Sequence, residues 1–70
     1  MTSSRQELLA AIAELSQVDP DLRLGQLVAN LATLAQGAKV EAIWDAEDEE
    51  LLAAAKRLLE RYRARTAGVG

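Results

Sequence analysis

Alanine and leucine dominate the apolar residues of this chain, and that bias narrows the folds open to it more than any other feature. Fourteen alanines and twelve leucines stand against two isoleucines, four valines, one Trp, one Tyr and no Phe. Ala and Leu adopt helical geometry at little cost, whereas β-branched and aromatic side chains suit the pleated surface of a sheet. The composition predicts an all-α fold. Seventy residues make a single domain, taken as 1–70. Half of them are apolar, which sets the chain apart from disordered polymers.

The same bias makes for a thin core. Alanine buries little area, and chains this short commonly lean on a disulfide, a metal or a partner chain. There is no Cys and no His, so thiolate and imidazole ligands are both missing, and neither a cofactor nor a metal is expected. Self-association is the remaining reinforcement, and a homo-oligomer is expected. The first residues are polar and no apolar run approaches the ~18 residues of a membrane span. A cytoplasmic protein without membrane contact is the resulting expectation.

Periodicity places three helices. The first is predicted over about 5–17, with Ser4 as N-cap and Glu7 three residues on, the spacing of a capping box. Leu8, Ile12 and Leu15 form its apolar stripe, widened by Leu9 and Ala11. Pro20 disfavours helical geometry at Asp19 and ends it. The second is predicted over about 22–36, capped by Asp21. Leu24, Leu27, Leu31 and Leu34 make one continuous face, flanked by Val28 and Ala35. Gly37 fits a left-handed residue closing that helix. The third is predicted over about 46–65, with Asp45 as cap and Asp48 at a capping-box-like position. Its seam is Leu52, Ala55, Leu59 and Tyr62, flanked by Leu51 and Leu58. Residues 38–44 read as an irregular connector, because a lone strand has nothing to pair with. Ile43 and Trp44 are its expected anchors to the core. Residues 66–70 read as a frayed tail. Short connections between three helices imply an up-down-up bundle. A looser alternative lets the third helix project and pair with a second copy.

The charges divide unevenly. The net charge is -3, yet residues 1–50 hold ten of the eleven acids, and residues 51–70 hold Glu60 against Lys56, Arg57, Arg61, Arg63 and Arg65. Acids at the start of the third helix and bases at its end are what the helix dipole favours. That explains most of the asymmetry without a ligand. The acidic run Asp45, Glu47, Asp48, Glu49 and Glu50 lacks the ligand spacing and turn glycine of a calcium loop. It reads as a solvated helix start or as an acidic surface for a basic partner.

Arg23, Gln26 and Asn30 lie at i, i+3 and i+7, so they share one helix face. They are candidates for hydrogen bonds to a partner, or to carboxylates near Asp45 within the fold. Gly25 among them costs up to ~1 kcal/mol relative to Ala inside a helix. It suggests close approach of another backbone or of the Trp44 ring.

The strings Arg23-Leu24-Gly25-Gln26-Leu27-Val28-Ala29-Asn30-Leu31 and Ile43-Trp44-Asp45-Ala46-Glu47-Asp48-Glu49-Glu50-Leu51 together cover about a quarter of the chain. This pairing resembles a group of short uncharacterised bacterial and phage-like helical proteins. They carry R-x-G-Q-x-x-x-N followed by an aromatic residue before D-x-x-D-E-x-L. The resemblance implies no activity. It implies that the amide stripe and the aromatic-acidic turn form one unit, either a structural latch or a binding surface.

The sequence therefore suggests a non-enzymatic protein-interaction module, a homo-oligomeric adaptor or small regulatory subunit that also meets another protein. Its candidate partner-binding residues are Arg23, Gln26, Asn30, Trp44, Asp45, Asp48 and Tyr62. Trp44 and Tyr62, the only aromatics, serve as core or interface anchors. The alternative is a small nucleic-acid-associated regulator using Arg57, Arg61, Arg63 and Arg65, since cations contacting phosphate dominate such affinity. Those arginines are scattered, no recognition signature accompanies them, and the acidic protein as a whole opposes DNA. Catalysis has little basis. Ser3, Ser4 and Ser16 lack an identifiable base, and no Gly-rich loop follows a strand.

Overall fold

Four helices follow one another along the chain: α1 (Ser4–Val18), α2 (Leu24–Gln36), the single-turn α3 (Ala42–Asp45) and α4 (Asp48–Val69). The computed structural model describes residues 3–69, with side chains as far as Arg65, and contains no strand among them. The fold is all-α. None of these helices is long and apolar enough to cross a membrane.

Helix starts fall where side chains can satisfy free backbone N–H groups, and this shifts each one from its expected place. In α1 the cap is Ser3, not Ser4. The Ser3 hydroxyl accepts from the Gln6 N–H and Gln6 Oε1 accepts from the Ser3 N–H, both at 3.1 Å. Gln serves a capping box as well as Glu does, so the Ser3/Gln6 pair adds a residue that Ser4/Glu7 would leave out. In α2 the expected cap Asp21 is exposed and outside the helix. The turn after Pro20, closed by the Leu22 N–H on the Asp19 carbonyl at 3.1 Å, occupies that stretch. Helix geometry begins only after the extended Arg23, whose N–H donates to Gln26 Oε1 at 3.1 Å. In α4 the cap position is taken by Glu47, not Asp45. Its carbonyl accepts from the Leu51 N–H, and its own N–H donates to Glu50 Oε1 at 3.0 Å.

Gly37 ends α2 with φ +89° but ψ 171°, so it is not the left-handed helical residue expected there. That region is open essentially to glycine alone. It turns the chain sharply, and the Lys39 N–H then bonds the Gly37 carbonyl. The connector that follows is partly helical. Its residues 42–45 form α3, with Asp45 the last residue of that turn. At the other end, α4 continues to Val69 instead of fraying after Arg65. Gly70, expected in a frayed tail, lies outside the described residues.

Packing centres on α4. Both α1 and α2 lie along it, touch each other least of all contacting pairs, and leave α3 packed on α2 alone. Directions follow from the polar pairs. Arg5 Nε meets Asp48 Oδ2 at 2.8 Å, start to start, and Arg63 meets Glu14 at 2.9 Å, end to end, so α1 and α4 run parallel. Gln36 at the end of α2 donates to Glu50 Oε2 at 2.7 Å near the start of α4, so α2 runs antiparallel to it. Leu8, Leu15, Leu27, Leu31, Leu52 and Leu59 form the core, with Ala11, Ala54 and Ala55 allowing close approach. The result is flat, 38 × 32 × 18 Å, with a radius of gyration of 12.2 Å. A compact 70-residue domain would have roughly 11 Å.

Not every expected core residue goes inside. Leu9 is 58% exposed, because it lies about 100° around α1 from Leu8 and beyond the reach of α4. Leu24 is exposed because it opens α2 at the rim. Ile43 and Trp44 are exposed too, the clearest departure from expectation. Ala42 is the α3 residue that goes inside.

Candidate interaction site

The two most exposed of the large apolar side chains described stand on and beside α3. Val40 is 85% exposed and Trp44 81%, with Ile43 half exposed between them. Ala42 explains this arrangement. It is 3% exposed, and it and Ala32 of α2 (1%) are the two buried residues that belong to no part of the main leucine cluster. Among the described residues α3 packs only on α2, and Ala42 is the residue it buries there. A turn of helix that presents its alanine inward turns its larger neighbours outward, because adjacent residues diverge by about 100°.

Acids surround this apolar group. Glu41 lies within it in sequence, Asp45 directly after it, and Glu47 and Glu49 follow at the start of α4, all exposed. Two others are engaged internally: Asp48 holds Arg5, and Glu50 holds both the Glu47 N–H and Gln36. Lys39 is the nearest base in sequence. No group of three carboxylates among the described residues is placed to hold a metal ion.

The amide stripe has a different role from the one expected. Gln26 is spent on capping its own helix at Arg23. Asn30 is exposed and makes no side-chain hydrogen bond among the described residues. Gly25 is exposed, and nothing would lie within 4 Å of a Cβ built there, so neither the Trp44 ring nor another backbone approaches it. Arg23, Gln26 and Asn30 do not reach the carboxylates near Asp45. The link from α2 to the acidic turn is made instead by Gln36, which the sequence reading missed. Its signal was its place in the last turn of α2, just before Gly37.

Tyr62 and the arginines gather at the far end of α4. The half-buried Tyr62 hydroxyl donates to Asp19 Oδ2 at 3.0 Å, tying the α1–α2 turn to α4. That hydrogen bond, aided by burial and the Asp19 charge and opposed by Arg65, raises the phenol above its ordinary value of 10.0. The Arg65 guanidinium sits 5.7 Å from the Tyr62 ring centre. Arg63 is bound to Glu14. Arg57 and Arg61 are exposed on α4. The four arginines therefore do not converge: two have partners inside the fold.

A cleft of about 420 Å³ also opens between α1 and α4. Ala10 and Ala11 line it together with Glu7, Glu14, Lys56 and Glu60. Its charges are of mixed sign and it is open to solvent, so it does not offer the dry, enclosed setting that tunes a catalytic carboxylate.

Compared with family models, with curated proteins and with solved structures, the chain matches none. Its class rests on its own geometry, a small all-α fold with an uncovered aromatic turn.

Proposed function

We propose that this chain is a non-enzymatic protein-interaction module, a homo-oligomeric adaptor or small regulatory subunit in which an up-down-up set of three long helices carries α3 as its contact element. The observation that carries the reading is Trp44, 81% exposed beside Val40 and Ile43. Large aromatic side chains are the commonest anchors of binding energy between proteins. An exposed apolar cluster with a polar rim is the usual form of such a surface. The flat shape and small core add a second motive, since a partner would cover area that the fold leaves wet. We place it in the cytoplasm and assign it no cofactor.

Sedimentation equilibrium of the purified chain tests this. The expected result is a mass above the 7.5 kDa monomer at micromolar concentration, rising with concentration. A strict monomer across the whole range, with a sharp cooperative melt, would remove self-association from the reading.

A further inference from the structure

The connections between the helices differ in what interrupts the helical run. The first holds Pro20 and the second Gly37, the two residue types least suited to a helix. The third, Ala46-Glu47 between α3 and α4, holds neither. Ala is the best helix former, and Glu ranks close behind it. At Ala46 φ is -72°, already helical, and ψ at 125° alone departs. Glu47, which takes the cap position of α4, is not among the residue types favoured there. Local preference and observed backbone therefore disagree at this joint.

Little holds the bend. Of α3 only Ala42 is buried, and it lies outside the main leucine cluster. The other ties are exposed: Gln36 to Glu50, and the Glu47 N–H to Glu50 Oε1. A break here also leaves the N–H groups of residues 47–50 without helical carbonyl partners, as at any helix start. By contrast, Leu52, Ala54, Ala55 and Leu59 fix α4 in the core. The part free to move is α3.

We infer that Ala46-Glu47 is a hinge, and that the chain exchanges between the bent form and one in which α3 and α4 make a single helix, Ala42–Val69. Straightening offers the N–H groups of residues 47–50 the carbonyls of Ile43, Trp44, Asp45 and Ala46. Against it stand the burial of Ala42 and the attraction of Asp48, Glu49 and Glu50 to the helix dipole, since these acids occupy a first turn only in the bent form. The straight form changes what Trp44 presents. Trp44 lies seven residues before Leu51, and Leu51 seven before Leu58. In one helix the three share a face. The indole then prolongs the seam of half-buried leucines that pack on the core, instead of standing on a separate turn. This goes beyond the self-association reading and does not depend on it, so a dilute monomer serves for the test.

Variants that push the hinge each way provide that test. Ala42→Glu puts a charge at a position 3% exposed and drives α3 off α2. Ala42→Gln does so more mildly, without a charge. Both leave the leucine cluster untouched. Glu47→Pro locks the bend, because proline keeps the residue before it extended, as Ala46 already is, and is costly inside a helix. In the Ala42 variants the NMR Cα shifts of Ala46 and Glu47 should become helical. The amides of residues 47–50 should exchange roughly tenfold more slowly than in the wild type. Asp45 and Ala46, in the exposed first turn of the longer helix, should not share that protection. Adding Glu47→Pro should abolish the protection at residues 48–50 while α1 and α2 keep theirs. If either Ala42 variant keeps its α1 and α2 helices but shows non-helical shifts at Ala46 and Glu47, or faster exchange at residues 47–50, the hinge is overturned. It is overturned equally if proline leaves a slowed exchange unchanged.

Discussion

The contact between α1 and α4 and the contact between α2 and α3 are built from opposite ends of the apolar size range. The first uses leucines at helical spacing, Leu8 and Leu15 against Leu52 and Leu59, with Ala11 and Ala55 between them. The second buries a single small residue of α3, Ala42, while the rest of that turn stays exposed. Leucines facing each other bury the large side chains of both helices. An alanine at a contact buries little, and the larger residues of α3 are left looking outward. One contact stabilises the fold. The other positions a surface at modest energetic cost.

This contrast can be broken most severely in the leucine core. Leu31→Ala, at a residue 1% exposed, is expected to lose about 2–5 kcal/mol. A chain of this length has roughly 4–10 kcal/mol in total, so a urea melt should shift far toward the unfolded state. A loss below about 1 kcal/mol would mean that the leucine core is not what holds the helices together. Next is overfilling a small buried position of α2. Ala32→Leu, at a residue 1% exposed on the helix that carries α3, should cost about 1–3 kcal/mol by overfilling a buried position. Hydrogen exchange should show faster exchange at the Asp45 and Ala46 amides, whose bonds run within the α3 turn, with little change in α1.

A smaller effect comes from the tie at the other end. Tyr62→Phe removes the bond to Asp19 and should cost about 1 kcal/mol. Its pH dependence has a definite sign. The folded phenol has a raised pKa, so its stabilising contribution is complete below the ordinary value of 10.0 and disappears as pH climbs through the higher folded value. Alkaline melts of the wild type should show this extra decline, and those of the Phe variant should lack it. Smallest of all is Trp44→Ala, expected to change the stability of the dilute monomer by less than about 0.5 kcal/mol, because the indole is exposed. The same substitution should strongly weaken association, which separates a residue that builds the fold from one that serves a contact.

The leucine seams were legible because their period matches the helix. Leu8, Leu15, Leu27, Leu31, Leu52 and Leu59 could all be picked out by spacing. The all-α class followed from composition alone. Helix starts were less legible, since Ser3 and Ser4 are equally good caps and only the competition between Gln6 and Glu7 distinguishes them. The contact element was misread. Ile43 and Trp44 look like core residues in any scale that ranks side chains by size, and nothing in the local pattern says that Ala42 would take the inward position. That choice is made by tertiary packing on α2, where a small residue fits and an indole does not. Gly25 misled for a related reason: a glycine in a helix suggests a close neighbour, and here there is none. Of the expected partner-binding residues, Trp44 and Asp45 do share one exposed end, while Gln26, Asp48 and Tyr62 are engaged within the fold.

Trp44 is the sole tryptophan, so its fluorescence reports directly on the surface at issue. In dilute solution its emission should match that of a fully hydrated indole, and it should move toward the blue as concentration rises and mass increases. An emission already blue at the lowest concentration, or one that stays fixed while the chain assembles, would contradict the assignment of α3 as the contact element.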